Sequence, residues 1–309
     1  MNPYILFIFS LSALIYGSDL IINSSKYIAF KFNIPKLIIG VTVIAFGTSF
    51  PELIVGMASS IQNQGDIALS NVVGSNIANL GLVLGIIGLI RPIHINVNRK
   101  LSYNLMSCML ATISFIVIIY LYDGVSLMSG YLLLILFLIY MYNLFSNYKR
   151  GNSLLNIENG NFNFSIIFKL FLGFVLVAFG TEYFIESTIS ISNQFGFKNN
   201  IAISMSLVAF GTSVPELVTS VMAVLKKEEG LAIGNIIGSN IFNIFLVAGL
   251  SSIVNPIMIN FDLIKYHLLL MFLVTIIFIL FVYLFKKISR VISTIFICIY
   301  FVFLYINFS

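Results

Sequence analysis

Ten stretches of mainly apolar residues follow one another along the chain, separated by short polar breaks. They cover roughly 3–25, 35–60, 67–90, 102–122, 126–146, 165–189, 200–225, 231–254, 264–285 and 289–307. An α-helix needs about 20 residues to cross the hydrocarbon core of a bilayer, and each stretch is close to that length. The pattern predicts an all-α integral membrane protein of ten transmembrane helices. The longest break, SNYKRGNSLLNIENGNFN (147–164), is polar, rich in asparagine and central. It is too short for a folded soluble domain, and it divides the chain into residues 1–146 and 165–309, with five predicted helices on each side. The opening MNPYILFIFSLSALIYG has no basic lead-in and no convincing cleavage site before Asp19. It is therefore expected to remain as the first transmembrane helix and not to leave as a signal peptide.

Composition removes the soluble alternative. Of the residues, 60% are hydrophobic and only 9% charged, against roughly 25% charged in ordinary globular domains. The expected partner of this surface is the lipid bilayer. The net charge of +5 does not point to nucleic acid, because the basic residues lie in short clusters between apolar runs with no interleaved aromatic footprint. Basic residues favour the cytoplasmic side. With the N-terminus outside, fourteen of the sixteen Lys and Arg fall on inner loops, leaving only Lys198 and Lys265 outside. The expectation is a multi-pass protein of the cell membrane with both termini extracellular and the 147–164 loop cytoplasmic. No protein partner is evident in the sequence. Cys108 and Cys298 lie within apolar runs, form no disulfide or metal spacing, and read as small buried hydrophobes.

The two halves repeat. Residues 43–85 align without a gap on 207–249 at a constant offset of 164, sharing AFGTS, PEL, GSNI and the pairs Asn71/Asn235 and Asn79/Asn243. Further upstream, YGSDLI (16–21) matches FGTEYF (179–184) with a one-residue slip. Chance likeness between apolar segments scatters Leu, Ile and Val; it does not place Gly, Thr, Ser, Pro, Glu and Asn in register. Five spans per half is an odd number, so the second half is expected to enter the membrane upside down, with broken helices 2 and 7 meeting at the midplane. Secondary transporters built from inverted repeats bind their substrates there.

The matched residues carry oxygen. Pro51 has no amide hydrogen and clashes with the carbonyl of Gly47, so it breaks the helix beside Thr48, Ser49 and Glu52. Thr48 and Glu52 are four apart and are expected on one helical face. The second copy, Gly211 to Glu216, repeats this with Thr212, Ser213 and Pro215. The next predicted helix of each half adds Ser75 and Asn79, or Ser239 and Asn243, each spaced i, i+4, with Gly74 and Gly238 allowing close helix approach. Oxygen-only clusters suit hard cations. A carboxylate at the bilayer centre costs at least about 2.5 kcal/mol, and neither motif contains Lys, Arg or His. The neutralising charge must arrive from solution, as a cation or as protons.

Two inverted copies of GTS-x-PE followed by GSN resemble the alpha-repeats of the sodium/calcium exchanger family, prokaryotic type, within the cation/calcium antiporter superfamily. The resemblance implies an antiporter, not an enzyme, that moves Ca²⁺ against Na⁺ by alternating access; these are transported ions, and no cofactor is implied. By position it assigns ion binding to Ala45 (through its backbone), Thr48, Ser49, Glu52, Ser75 and Asn79. From the second repeat it assigns Ala209, Thr212, Ser213, Glu216, Ser239 and Asn243. In the family, Ca²⁺ is thought to be held chiefly by the two glutamates and the threonine carbonyls, with Na⁺ in overlapping and flanking positions. Potassium-dependent relatives carry aspartate where this chain has Asn243, which implies no K⁺ requirement. A proton-coupled Ca²⁺ antiporter could use the same carboxylates and is the alternative. Under either reading, protons compete for the glutamates and acid is expected to inhibit.

Several polar residues are expected to have bland roles. Asp19 and Glu182 occupy matching places and are expected to be interfacial, to cap a helix or to line an ion path. Glu186 and the run Lys226–Glu229 are assigned to helix ends and a solvated loop. His94 and His267 offer no metal pair, and Ser70 facing Gly234 in the alignment suggests only a packing change. An intramembrane hydrolase is disfavoured by the lack of HExxH or GxGD and of a serine with a nearby base.

Overall fold

The computed structural model describes residues 2–146, 164–194, 210–259 and 261–308. Their helices are α1 (Pro3–Lys31), α2 (Lys36–Thr48), α3 (Phe50–Ile61), α4 (Gly65–Ile90), α5 (Arg99–Tyr122) and α6 (Leu127–Ser146). In the second half come α7 (Phe164–Gln194), α8 (Val214–Leu225), α9 (Glu229–Val254), α10 (Phe261–Phe285) and α11 (Arg290–Phe308). Local chemistry sets several ends. Asn2 accepts the Tyr4 amide ahead of Pro3, and Asn98 accepts that of Leu101 at the start of α5, so each supplies a partner for an amide the first turn leaves unpaired. Asn63 and Lys227, which occupy equivalent positions after α3 and α8, both take left-handed backbone (φ 59° and 63°) to stop their helices.

Seven of these helices are long and apolar enough to cross a membrane, and α2 with α3, bent by 44°, makes an eighth if taken as one span. Shorter apolar helices cover Phe210–Leu225 and Arg290–Ile306. The chain is thus a multi-pass membrane protein. The predicted stretches 3–25 and 165–189 extend into longer helices, because polar residues continue each helix past its apolar part. The residues 200–209 of the seventh stretch, and the central segment 147–163, lie outside the described residues.

Burial separates the helices into two groups. The most apolar windows of α4 and α9 are 78% and 83% buried inside the protein, against 28% for α6, 22% for α7 and 33% for α10. The two helices with GSNI therefore form the centre, and the remaining helices present Phe, Tyr, Leu and Ile outward. Gly40 and Gly234 bring α2 onto α9: a Cβ on Gly234 would lie 2.5 Å from the Leu37 carbonyl oxygen and 2.9 Å from the Gly40 Cα. At the equivalent position Ser70 is exposed, which explains why only one copy needs glycine.

Contacts between the halves are reciprocal. Helices α1 and α7 pack antiparallel, with Phe7 against Phe184 and Gly17 against Gly173. Gly180, the counterpart of Gly17, meets the Ser10 carbonyl in the same way. Two short antiparallel pairs behave alike: β1 (Ile93–His94) joins β4 (Lys287–Ile288), and β2 (Gly124–Val125) joins β3 (Ile257–Met258). Shifting β1 by 164 residues gives β3, so each pair links a strand of one half to the non-equivalent strand of the other.

One end of the molecule is tied by ion pairs. Glu228, in the turn before α9, meets Lys26 at 3.0 Å and also Lys36, with its side chain only 4% exposed. Burial alone would raise this carboxyl, but the hydrogen bonds and charges of Lys36 and Lys26 outweigh it and hold the group below its ordinary value. Lys226 pairs with Asp19 and donates to Asn23 at 2.7 Å, and Arg91 faces Glu229 at 3.6 Å. The opposite end carries neutral counterparts: Asn255, equivalent to Arg91, donates to Asn63 Oδ1 at 2.9 Å and to the Ser60 carbonyl at 3.0 Å.

These contacts correct three expectations. The Lys226–Glu229 run is not simply solvated, because α1 and α2 fold lysines over Glu228. Glu186 is within α7, exposed, and lines a cavity of about 520 Å³ with Pro3, Leu6 and Tyr183. Cys108 is buried as expected, but Cys298 is exposed, because it falls on the outward face of α11.

Candidate cation site at the helix breaks

The two motif copies break their helices in the same way. Ser49 (φ −84°, ψ 7°) and Ser213 (φ −85°, ψ 0°) leave helical geometry at the same point. A new helix then starts with proline as its second residue, where the missing amide costs nothing. Glu52 and Glu216 are each the third residue of these new helices. A helix start leaves its first amides unpaired and is the end that favours negative charge. The preceding glycines make room for α7: a Cβ on Gly47 would lie 1.9 Å from the Phe174 ring, and one on Gly211 2.3 Å from the Ile185 side chain.

The break also changes one sequence inference. Thr48 closes α2 and Glu52 opens α3, so they do not share a continuous helical face as their spacing suggests. The hydroxyls reach across to the other copy instead. Thr48 Oγ1 donates to Asn235 Oδ1 at 3.0 Å, and Thr212 Oγ1 donates to Asn71 Oδ1 at 3.1 Å. Ser49 Oγ donates to Glu216 Oε1 at 3.0 Å, joined there by Ser239 Oγ at 3.2 Å. Ser75 Oγ lies 3.5 Å from Thr212 Oγ1, and Asn79 Nδ2 donates to Asn240 Oδ1 at 3.4 Å.

Thus Thr48, Ser49, Glu52, Ser75 and Asn79 converge with Thr212, Ser213, Glu216, Ser239 and Asn243 in one buried region. Both glutamates are 0% exposed. Ala45 is buried too, and its carbonyl accepts the Ser49 amide at 2.9 Å. Ala209 lies outside the described residues. Helices α4 and α9 widen into a π turn starting at Asn79 and at Asn243 respectively, and α2 does so over Gly40–Ile44, just before Ala45. Such turns are frequent at functional sites.

Buried polar atoms normally have hydrogen-bond partners. Here several oxygens have none among the described residues: both of Glu52, Oε2 of Glu216, Oγ of Ser213, and Oδ1 of Asn79 and Asn243. These atoms are acceptors or can serve as one, and they come from both copies. The donor set fits an oxygen-seeking cation. The described residues contain no group of three or more His, Cys, Asp or Glu that could hold a metal ion, and Glu52 and Glu216 are the carboxylates of this buried region.

The sequence motifs understate the role of Asn71, Asn235 and Asn240. Asn71 also donates to the Glu52 main-chain carbonyl at 3.2 Å, and Asn235 to Ser220 Oγ at 3.1 Å. For Asn71 and Asn235 the available signal was the stripe 71, 75, 79 and its copy 235, 239, 243, in which every member is polar and four apart; Asn240 is the asparagine of the second GSNI.

Comparison with known proteins decides the family. The sequence matches the family described as sodium/calcium exchanger protein over residues 2–146 and 165–309. The chain belongs to the sodium/calcium exchanger family. Relatives of this exchanger include MJ0091, a membrane protein of Methanocaldococcus jannaschii, 38% identical over 77% of each chain. Sodium/calcium exchanger MaX1 of Methanosarcina acetivorans is 30% identical, covering 82% of this exchanger and 83% of MaX1. A solved structure of the sodium-calcium exchanger NCX_Mj, soaked with Na⁺ and Sr²⁺, superposes with a TM-score of 0.86 at 31% identity, covering 99% of this exchanger and 98% of NCX_Mj.

Proposed function

We propose that this exchanger is a secondary active antiporter that moves Ca²⁺ against Na⁺ by alternating access, without K⁺. Its ion site comprises Glu52, Glu216, Thr48, Thr212, Ser49, Ser213, Ser75, Ser239, Asn79 and Asn243, with main-chain oxygens of Ala45 and Ala209. The observation that carries this reading is the burial of both glutamates, one from each helix break, with Ser49 of the first break bonded to Glu216 of the second.

With both glutamates ionised the site holds two negative charges, which one Ca²⁺ neutralises. If more than two Na⁺ replace one Ca²⁺, each cycle moves net charge and responds to membrane voltage. Asn243 in place of a carboxylate keeps the charge at two and favours K⁺ independence. The antiparallel pairing of α1 with α7 and the exchanged strand pairs support ten helices in two inverted halves, 1–146 and 165–309, with 147–164 as a linker. The collection of Lys26, Lys36, Arg91 and Lys226 at one end supports placing that end in the cytoplasm and both termini outside the cell membrane.

Reconstituted into vesicles with the pH gradient collapsed, the protein is expected to take up Ca²⁺ when an outward Na⁺ gradient is imposed. Added K⁺ should not change the rate, and lowering the pH should slow it. Uptake driven by a proton gradient alone, with no response to Na⁺, would replace this reading with the proton-coupled one.

A further inference from the structure

We infer that Asn71 and Asn235 are positioning residues, one per repeat, that fix the hydroxyl of the opposite repeat's threonine so that its lone pairs face the transported ion. This rests on the ion site proposed above and extends it to two residues that the motif resemblance does not assign.

The case starts from what each group can donate and accept. The main-chain carbonyl of Glu52 can only accept, so Asn71 must present its NH₂ there, at 3.2 Å. The other end of the amide, Oδ1, then faces Thr212 and can only accept. The Thr212 hydroxyl, 3.1 Å away, donates to it. Ser75 Oγ lies 3.5 Å from the same hydroxyl oxygen. A cation needs lone pairs and is repelled by a hydroxyl proton, so an amide locked in this orientation converts threonine into a pure acceptor.

The second copy reaches the same result with different support. Asn235 accepts from Thr48 Oγ1 at 3.0 Å, closer than the Ile44 and Ala45 carbonyls that share the same hydroxyl at 3.2 and 3.4 Å. Its NH₂ goes to Ser220 Oγ at 3.1 Å, where the first copy has Gly56 at the equivalent position. Both asparagines are almost completely buried, 3% and 1% exposed, so water does not compete for these bonds. Each lies one helical turn before a proposed serine ligand, on the same face of its helix. Because each bond crosses from one repeat to the other, it also ties the first break to the second central helix and the second break to the first.

The test pairs substitutions across and within the halves. Asn71→Leu and Thr212→Val are close in size to the native residues and remove either end of one bond; Asn71→Leu with Thr48→Val is the mismatched control. Purified protein in detergent is titrated with Ca²⁺, and reconstituted protein gives KM and maximal rate for Na⁺-driven Ca²⁺ uptake. Each single variant should weaken Ca²⁺ binding and raise KM about tenfold, with a smaller change in maximal rate. The matched double variant should be little worse than either single one, whereas the mismatched pair should multiply its two effects. Thr212→Ser, which keeps the hydroxyl, should restore near-normal KM. Multiplicative effects in the matched pair, or loss of maximal rate with KM unchanged, would overturn the inference while leaving the antiporter reading intact. If wild type binds no Ca²⁺ in the same titration, both fall together.

Discussion

The two helix breaks share a backbone but not a hydrogen-bond pattern. Ser49 and Ser213 adopt nearly the same dihedral angles, and both glutamates stand third in the following helix. Yet Glu216 receives hydroxyls from Ser49 and Ser239 at 3.0 and 3.2 Å, while Glu52 has the Ser75 hydroxyl nearby but no bond of that length among the described residues. The symmetric partner of the Ser49 bond would be Ser213 to Glu52, and the Ser213 hydroxyl is instead unbonded. Identical motifs therefore build identical frames, whereas the surroundings decide how each carboxylate is held.

The largest effect that can break this comparison is expected at a position where the copies differ. Gly234→Ser installs the residue of the equivalent position 70, but its Cβ would meet main-chain atoms of α2. Overpacking of this kind typically costs about 1–3 kcal/mol, and main-chain contact makes this an unfavourable case. Gly234→Ser should yield little folded protein by size-exclusion chromatography in detergent, while the reverse change Ser70→Gly should be tolerated. Next in size are the serines of the breaks. A hydrogen bond to a charged group is worth roughly 1.5–3 kcal/mol, so Ser49→Ala should weaken Ca²⁺ binding about tenfold or more in a titration. Ser213→Ala should have a smaller effect, and equal losses would show that both glutamates are held alike.

Smaller still is the contribution of the lysine-covered end. Glu228 is held below its ordinary value when folded, so its stabilisation is complete above the unfolded carboxylate value of about 4.3. It is lost only as the pH falls through the lower folded value. Thermal stability from this cluster should therefore be flat from about pH 5 to 8, and acid inhibition of transport in that window must come from other groups. Glu228→Gln, which installs the residue found at the equivalent Gln64, should lower Tm by roughly 3 °C or less. It should also reduce the dependence of Tm on salt. A larger fall would mean that the end is held mainly by this cluster.

Much of this was readable before any coordinates. The register of Gly, Thr, Ser, Pro, Glu and Asn across 164 residues identifies both breaks, and the lack of nearby basic residues implies a cation. What the sequence could not show follows from tertiary contact. Spacing places Thr48 and Glu52 on one face, but the helix ends between them and the threonine turns to Asn235. Glu228 looks solvated in a charged run, and only the fold reveals the two lysines from α1 and α2 that cover it. Cys298 sits in an apolar run whether that face meets protein or lipid, so hydropathy alone does not distinguish the two.

The most direct test is Ca²⁺ uptake into proteoliposomes driven by an outward Na⁺ gradient, comparing wild type with Glu52→Gln and Glu216→Gln. Glutamine keeps the shape and removes one of the two charges that balance Ca²⁺. Wild type should transport, and each variant should lose at least about 100-fold in rate, as expected for the loss of roughly 3 kcal/mol from a buried charge–cation contact. Full activity in both variants would contradict a site built on these two glutamates.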